Sequence, residues 1–383
     1  MQYPIDMTVL ADVLAALAAA LVISFAVTPA VKILAQRIGA IDVPKDNRRM
    51  HDHPIPLLGG LAVFIGFIIS VLIFGKIDTQ VRGMLLGCVV IMAAGIIDDI
   101  SPLKYWAKLL FQIAAALIAV FHGIKIEVFS NPVFFADNQW LTLGFMSIPI
   151  TVIWIAAVTN SVNYIDGLDG LSVGVSAISS VTLLIVALLV AEGNVAVIMA
   201  ALAGACLGFI PYNLNPAKIF AGDTGALLLG YVLATMSVIG LFKVYAVFSF
   251  FVPLLVLAIP LFDFVFAFFR RLLKGQNPMK GDKGHLHHRL INMGLNQKQA
   301  VSVLYSISAA FGVVAVLIAS NGRMKAMLFI IAFLAAGMIS FFVYRSNKKR
   351  HEAQAREECC NDAKTDCSEA AACEDKNTDT DKK

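Results

Sequence analysis

The stretch "SIPITVIWIAAVTNSVNYIDGLDGLSVGVSAISSVTLLIVALLVA" (Ser147–Ala191) decides the fold. Two apolar runs, each close to the ~20 residues that a membrane-spanning helix needs, flank "NYIDGLDG" (Asn163–Gly170), which holds two carboxylates and two glycines. Lipid excludes unpaired backbone, so the runs read as helices and the polar junction as a loop at the membrane surface. The same alternation extends along the chain of 383 residues, 59% of them hydrophobic and 15% charged. Mean hydropathy is +0.79. Apolar runs begin near residues 8, 57, 81, 105, 147, 170, 194, 225, 246, 300 and 324. The expected fold is all-α, a polytopic transmembrane helical bundle of about 11 spans. Alternating strands of a membrane barrel are absent.

Charge sets the orientation. Loops after odd-numbered spans hold thirteen Lys or Arg residues, among them Arg37, Lys45, Arg48, Arg49, Lys104, Lys218 and Arg289. Even-side loops hold six, beginning with Lys76 and Arg82. The positive-inside rule then places odd-side loops and the C-terminus in the cytoplasm and the N-terminus outside. The first run has no preceding Lys or Arg, is too long for a signal-peptide core and is expected to remain uncleaved. The net charge of +4 reflects this bias. No basic, aromatic-lined groove points to nucleic acid, and no repeat, Walker loop or dinucleotide fingerprint occurs.

Residues 1–345 are therefore expected to form the membrane domain and 346–383 a disordered polar cytoplasmic tail. That tail holds Cys359, Cys360, Cys367 and Cys373, whose spacing matches no paired zinc motif. Cys88 and Cys206 fall inside apolar runs and read as packing residues.

A carboxylate inside a span costs roughly 2.5–3.5 kcal/mol on insertion scales, so where such groups fall is informative. "GIIDDI" carries Asp98 and Asp99, "NYIDGLDG" Asp166 and Asp169, "NPAKIFAGDTGALLLG" Asp223, and "KGDKGHLHHRL" His285, His287 and His288. All four clusters follow odd-numbered spans, so the Lys and Arg topology gathers them on one face. Carboxylates with the amides of Asn160 and Asn163 are hard donors suited to Mg²⁺. Glycines at 167, 170, 222 and 225 permit close backbone approach. Lys218, Lys283, Arg289 and the histidines suit a pyrophosphate. Together they suggest phosphoryl transfer at the membrane surface.

Each cluster also has a plainer reading. Asp98 and Asp99 would end a helix at the interface, although carboxylates at a helix C-terminus oppose its dipole. "DGLDG" would be a turn. "HLHH" lacks H-E-x-x-H zinc spacing and would be surface imidazoles. Asp263 would pair with Arg270 or Arg271, and Gly59 and Gly60 would allow close helix packing. These readings hold singly but leave the joint placement unexplained.

From about Arg37 to about Ala300 the chain resembles the polyprenyl-phosphate N-acetylhexosamine-1-phosphate transferases, through "RRMHDHPIPLLGG", "GIIDDI" followed by Lys108, "NSVNYIDGLDGL", "PYNLNPAKIFAGDTGALLLG" and "PLFDFVFAFFRR" leading into "GDKGHLHHRL". The resemblance implies an eleven-span bacterial plasma-membrane enzyme with a cytoplasmic site. It implies Mg²⁺, with Mn²⁺ as substitute, and transfer of a sugar 1-phosphate from a UDP-sugar to undecaprenyl phosphate. "HLHH" is similar to the H-x-H-H form of the WecA/TagO-type group, which makes UDP-GlcNAc the expected donor; another UDP-N-acetylhexosamine or UDP-MurNAc-pentapeptide stays open. A polyprenyl-phosphate transporter or flippase is the alternative of another class. By the same resemblance Asn163 and Asp223 bind metal, and Asp98 and Asp99 lie beside the metal and acceptor phosphate. Asp166 and Asp169 lie near the nucleotide, Phe220 stacks on uracil and Asn213 belongs to the same stretch. His285, His287 and His288 hold pyrophosphate and sugar, while Lys45, Arg48, Arg49 and His51 meet the lipid phosphate. Expected partners beyond the substrates are a second copy of the chain and downstream glycosyltransferases.

Overall fold

The computed structural model describes residues 7–44, 53–130, 140–240, 251–273 and 286–320, all within one compact unit, Met1–Phe329. The helices are α1 (Met7–Ile38), α2 (Gly59–Phe74), α3 (Thr79–Ile100), α4 (Tyr105–Phe121), α5 (Ser147–Ile165), α6 (Leu171–Leu189), α7 (Gly193–Asn213), α8 (Gly222–Gly240), α9 (Phe251–Val256), α10 (Ala258–Leu273), α11 (Leu286–Asn292) and α12 (Gln297–Ser320). Two small antiparallel pairs accompany them: β1 (Ile41–Asp42) with β2 (Ile55–Pro56), and β3 (Val128–Ser130) with β4 (Trp140–Thr142).

Among the described residues seven helices are long and apolar enough to cross a membrane: α1, α3, α5 with its preceding turn, α6, α7, α8 and α12. The helices α2 and α4 are apolar but shorter. For the first eight expected runs, and the tenth, a helix begins within about three residues of the position read from hydropathy. The expected ninth run begins outside the described residues, and its described part is two helices, α9 and α10. Pro260 has no N–H to return to the Val256 carbonyl, so the helical ladder breaks there. The expected eleventh run and the tail lie outside the described residues.

At the centre stands α8, buried at every position except Asp223. Its sequence "GDTGALLLGYVLATMSVIG" is small or apolar on all faces, which suits a helix enclosed by protein. It packs on α3, α5, α2 and α6. By contrast α1, packed on α7 and α2, leaves Leu14, Val22, Phe25 and Ile33 exposed, an outer face suited to lipid. Several hydroxyls inside the bundle are satisfied within their own helices: Thr159 donates to the Ile155 carbonyl at 2.6 Å and Ser180 to the Ser176 carbonyl at 2.7 Å. Such back-bonding removes the cost of a lone hydroxyl in an apolar medium.

The expectation of close packing at Gly59 and Gly60 is met. Gly60 lies against the Gly225 and Thr224 backbone so tightly that any Cβ would collide with it. Gly59 and Gly60 donate to the Phe220 and Ala221 carbonyls at 2.9 Å each, and the Phe220 N–H donates to the Pro56 carbonyl at 2.9 Å. The "PIPLLGG" segment is thus bonded to the chain that enters α8.

Candidate active site

Helix ends converge where the polar motifs lie. Asp98 and Asp99 close α3, Asp166 follows α5, and Asp223 opens α8. They surround a cavity of about 610 Å³ lined by Asp42, Asp98, Asp99, Asp166, Asp169 and Asp223, with Asn213 and Phe220. No Lys, Arg or His is among its described lining residues.

Asp223 links three other helices through its two oxygens. One oxygen accepts from Asn163 Nδ2 at 2.6 Å; the other meets the Lys108 ammonium. Lys108 Nζ also lies 2.5 Å from Asp98, so a single cation from α4 is shared between acids of α3 and α8. Asp98, 8% exposed, further accepts from the Leu103 N–H at 2.6 Å, which ties it to the turn between α3 and α4.

Asp99 is engaged differently. Its carboxylate accepts from the backbone N–H of Asp223 at 2.8 Å, from that of Thr224 at 3.1 Å and from the Thr224 hydroxyl at 2.5 Å. A helix N-terminus presents unpaired N–H groups and a positive dipole end, and a carboxylate satisfies both. The second acid of "DD" therefore anchors α8 and sets where Asp223 projects.

Asp166 accepts from the Ser172 hydroxyl at 2.6 Å. Burial pushes its carboxyl up to about 7; the Ser172 bond opposes the shift, and the charges of Asp223 and Asp169 add to it. Asp169 accepts from Asn215 Nδ2 and the Ala217 N–H, both at 3.0 Å. Asn215 also donates to Gln297 of α12 at 2.8 Å, and the Tyr305 hydroxyl donates to the Gly170 carbonyl at 2.5 Å. The loop between α5 and α6 is thus held from two sides.

Asn213 is 3% exposed. Its Nδ2 donates to the Ile219 carbonyl at 3.0 Å, while its buried Oδ1 has no hydrogen-bond partner among the described residues. An unmet acceptor on a cavity wall suits a ligand N–H. Phe220, half-buried, lies on the same wall. The ring of His287 rests against Gly167 so closely that a side chain there would strike it, and the His287 and His288 rings are 4.4 Å apart.

Asp98, Asp99, Asp166, Asp169, Asn213, Phe220 and Asp223 thus line one cavity, with Asn163, Lys108 and His287 bonded to or packed on its walls. Other expected site residues stand apart. Asn160 is spent on a reciprocal amide pair with Gln112, at 2.5 and 3.2 Å. Lys218 is exposed and does not line the cavity. Arg289 lays its guanidinium 4.7 Å from the Phe266 ring. Lys45, Arg48, Arg49, His51 and His285 lie outside the described residues. The sequence reading passed over Asp42 on the wall and the supports Gln112, Ser172, Asn215, Thr224 and Gln297. For Gln112 a signal existed, since it follows Lys108 by one helical turn.

Among the described residues no three His, Cys, Asp or Glu side chains form a ready metal cluster. Asp98 and Asp223 are nevertheless hard donors that share the Lys108 ammonium, and Asn163 bonds the other oxygen of Asp223. A turned-over Asn163 amide has the same shape and presents oxygen to a cation.

The model of glycosyl transferase family 4 matches residues 81–241. A Bacillus subtilis (strain 168) protein named "Probable undecaprenyl-phosphate N-acetylglucosaminyl 1-phosphate transferase" is 41% identical over 297 residues, 77% of this chain and 81% of its own length. "Decaprenyl-phosphate N-acetylglucosaminephosphotransferase" of Mycobacterium tuberculosis (strain ATCC 25618 / H37Rv) is 35% identical over 320 residues, 76% and 78% of the two chains. "Undecaprenyl-phosphate alpha-N-acetylglucosaminyl 1-phosphate transferase" of Escherichia coli (strain K12) is 27% identical over 332 residues, 84% and 87%. The site and these relatives define a membrane-embedded glycosyltransferase. The chain belongs to glycosyl transferase family 4.

Proposed function

We propose that this chain transfers N-acetylglucosamine 1-phosphate from UDP-GlcNAc to undecaprenyl or another polyprenyl phosphate, giving a lipid-linked pyrophosphate and UMP. The observation that carries this reading is the carboxylate-lined cavity at the helix ends of an apolar bundle. A lipid phosphate reaches that depth with its tail still in the bilayer, and the names of the relatives support the same reaction.

Two anionic substrates entering a cavity with six acids on its wall require a cation. Mg²⁺, with Mn²⁺ as substitute, fits, because it favours one or two carboxylates completed by substrate phosphates and water. Asp223 and Asn163 would hold it, with Asp98 adjacent. When bound it supplies Lewis-acid neutralisation of the pyrophosphate oxygens.

The rest of the chemistry belongs to the side chains. A phosphate monoester with a second pKa near ~6 is mostly dianionic at neutral pH, so the acceptor oxygen attacks the β-phosphorus without a strong base. Asp98 orients the acceptor and takes a residual proton. Lys108 holds Asp98 and Asp223 together and offsets their charge. Asp99 keeps α8 in register. Asn213 Oδ1 accepts an N–H of the uracil, Phe220 stacks on the ring, and the histidines of "HLHH" steady the pyrophosphate and sugar. Asp166 and Asp169 fix the loop beneath the nucleotide.

The proposed arrangement has eleven spans, the N-terminus outside and this site on the cytoplasmic face of a bacterial plasma membrane, where a soluble UDP-sugar arrives. The product then passes to downstream glycosyltransferases. The reading is tested with purified protein, undecaprenyl phosphate and labelled UDP-GlcNAc, UDP-GalNAc or UDP-MurNAc-pentapeptide in parallel. Label in the lipid phase from UDP-GlcNAc alone is expected. Label only from another donor overturns the donor, and no transfer by folded protein overturns the enzyme.

A further inference from the structure

Asp263 is a charged side chain of α10 that the mechanism above does not use. It is 6% exposed and is absent from the wall of the acid-lined cavity. Burying a carboxylate costs several kcal/mol unless hydrogen bonds compensate it. Asp263 Oδ1 accepts from the backbone N–H of Leu286 at 2.7 Å, the first described residue of α11. N–H groups in the first turn of a helix have no partner within the helix, and here one of them is met by the Asp263 side chain, which ties α11 to α10.

The next two residues of α11 belong to the histidine motif. His287, 3% exposed, has its ring against Gly167 on the cavity wall, and His288 is its neighbour. Beneath them Leu290 shares a buried cluster with Ile165, Leu168, Leu171 and Ile259, and Leu286 packs on it. Ile259 precedes Asp263 by one turn of α10. Apolar contacts set the depth of α11, but they are non-directional and tolerate sliding. A directional hydrogen bond to the Leu286 amide sets its register.

We propose that Asp263 is a positioning residue: by capping α11 it fixes His287 and His288 against the Asp166–Gly170 loop for the transfer step. This rests on the transferase reading for what the histidines do, but not for the cap itself.

The test compares Asp263→Asn, Asp263→Ala and Asp263→Glu in the full-length protein, reading kcat, KM for polyprenyl phosphate and amide hydrogen exchange over 286–292. Asparagine keeps an acceptor oxygen in place, so near-normal kcat and exchange are expected. Alanine removes the acceptor; kcat should fall about 100-fold, the cost of a small misplacement of catalytic groups, with KM for the lipid unchanged and exchange over 286–292 faster. If Asp263→Ala fails to fold, Asp263→Glu decides, because it keeps the charge but displaces the acceptor and should lower kcat with faster exchange. The proposal is overturned if Asp263→Asn is as impaired as Asp263→Ala, if exchange over 286–292 is unchanged in the alanine variant, or if Asp263→Glu behaves as wild type. A wild-type protein with no transferase activity would instead defeat the transferase reading, while the exchange measurement still reports on the cap.

Discussion

Asp223 accepts from Asn163 and shares Lys108 with Asp98, so three helices depend on one carboxylate. Asp223→Asn removes its charge with almost no change of volume, and should lower turnover at least about 100-fold, the scale seen when an electrostatic transition-state contact is lost. Lys108→Met leaves Asp98 and Asp223 facing each other without a counter-ion. Breaking a buried pair from one side costs roughly 3–5 kcal/mol; the partial exposure of Lys108 and Asp223 reduces this, and a lower melting temperature accompanied by lost activity is expected. Asp166 offers a test by pH. Its carboxyl is held up at about 7 against an ordinary 3.8, so the folded chain binds this proton more tightly than the unfolded one. As pH rises from about 4 the unfolded chain ionises first, and the folded state loses relative stability until the pH passes about 7. Asp166→Asn should therefore raise the melting temperature of the substrate-free protein more at pH 8 than at pH 5. An equal effect at both would show that Asp166 ionises normally.

At the scale of helices, the amide pair of Gln112 and Asn160 joins α4 to α5 one turn from Lys108 and about one turn from Asn163. Truncating Asn160 strands the buried Gln112 amide, at about 1–3 kcal/mol, whereas truncating Gln112 leaves a half-buried Asn160 that still donates to the Ala156 carbonyl. Gln112→Ala and Asn160→Ala should each lower stability, and the double variant should lose less than the sum of the two. Additive losses would show that the pair does not act as a unit. This pair also marks where sequence stops being informative. Composition and run length exposed α1 to α8 because each carries a long apolar stretch, and the acids were found because charge is rare near spans. Asn160 reads as a hard donor for Mg²⁺ because residue type reveals donors and acceptors, not which partner lies across the helix boundary. Asp99 was paired with Asp98 for the same reason, although its contacts run to the α8 N-terminus. The break between α9 and α10 was hidden by continuous hydropathy, with only Pro260 to mark it.

For the whole molecule, an enclosed α8 brings one carboxylate to the cavity while the outer helices turn apolar side chains outward. The proposed orientation puts Asp78, at the N-terminus of α3, outside and Lys104, beyond its C-terminus, inside. A membrane-impermeant maleimide applied to intact cells should label a cysteine placed at 78 and not one at 104; the reverse pattern would invert the molecule. The most direct test of the central claim is release of UMP by purified protein given Mg²⁺, UDP-GlcNAc and undecaprenyl phosphate, run beside Asp223→Asn. The account predicts one UMP per lipid-linked N-acetylglucosamine formed, lost with chelator and nearly lost in the variant. Unimpaired, stoichiometric release by folded Asp223→Asn would contradict it.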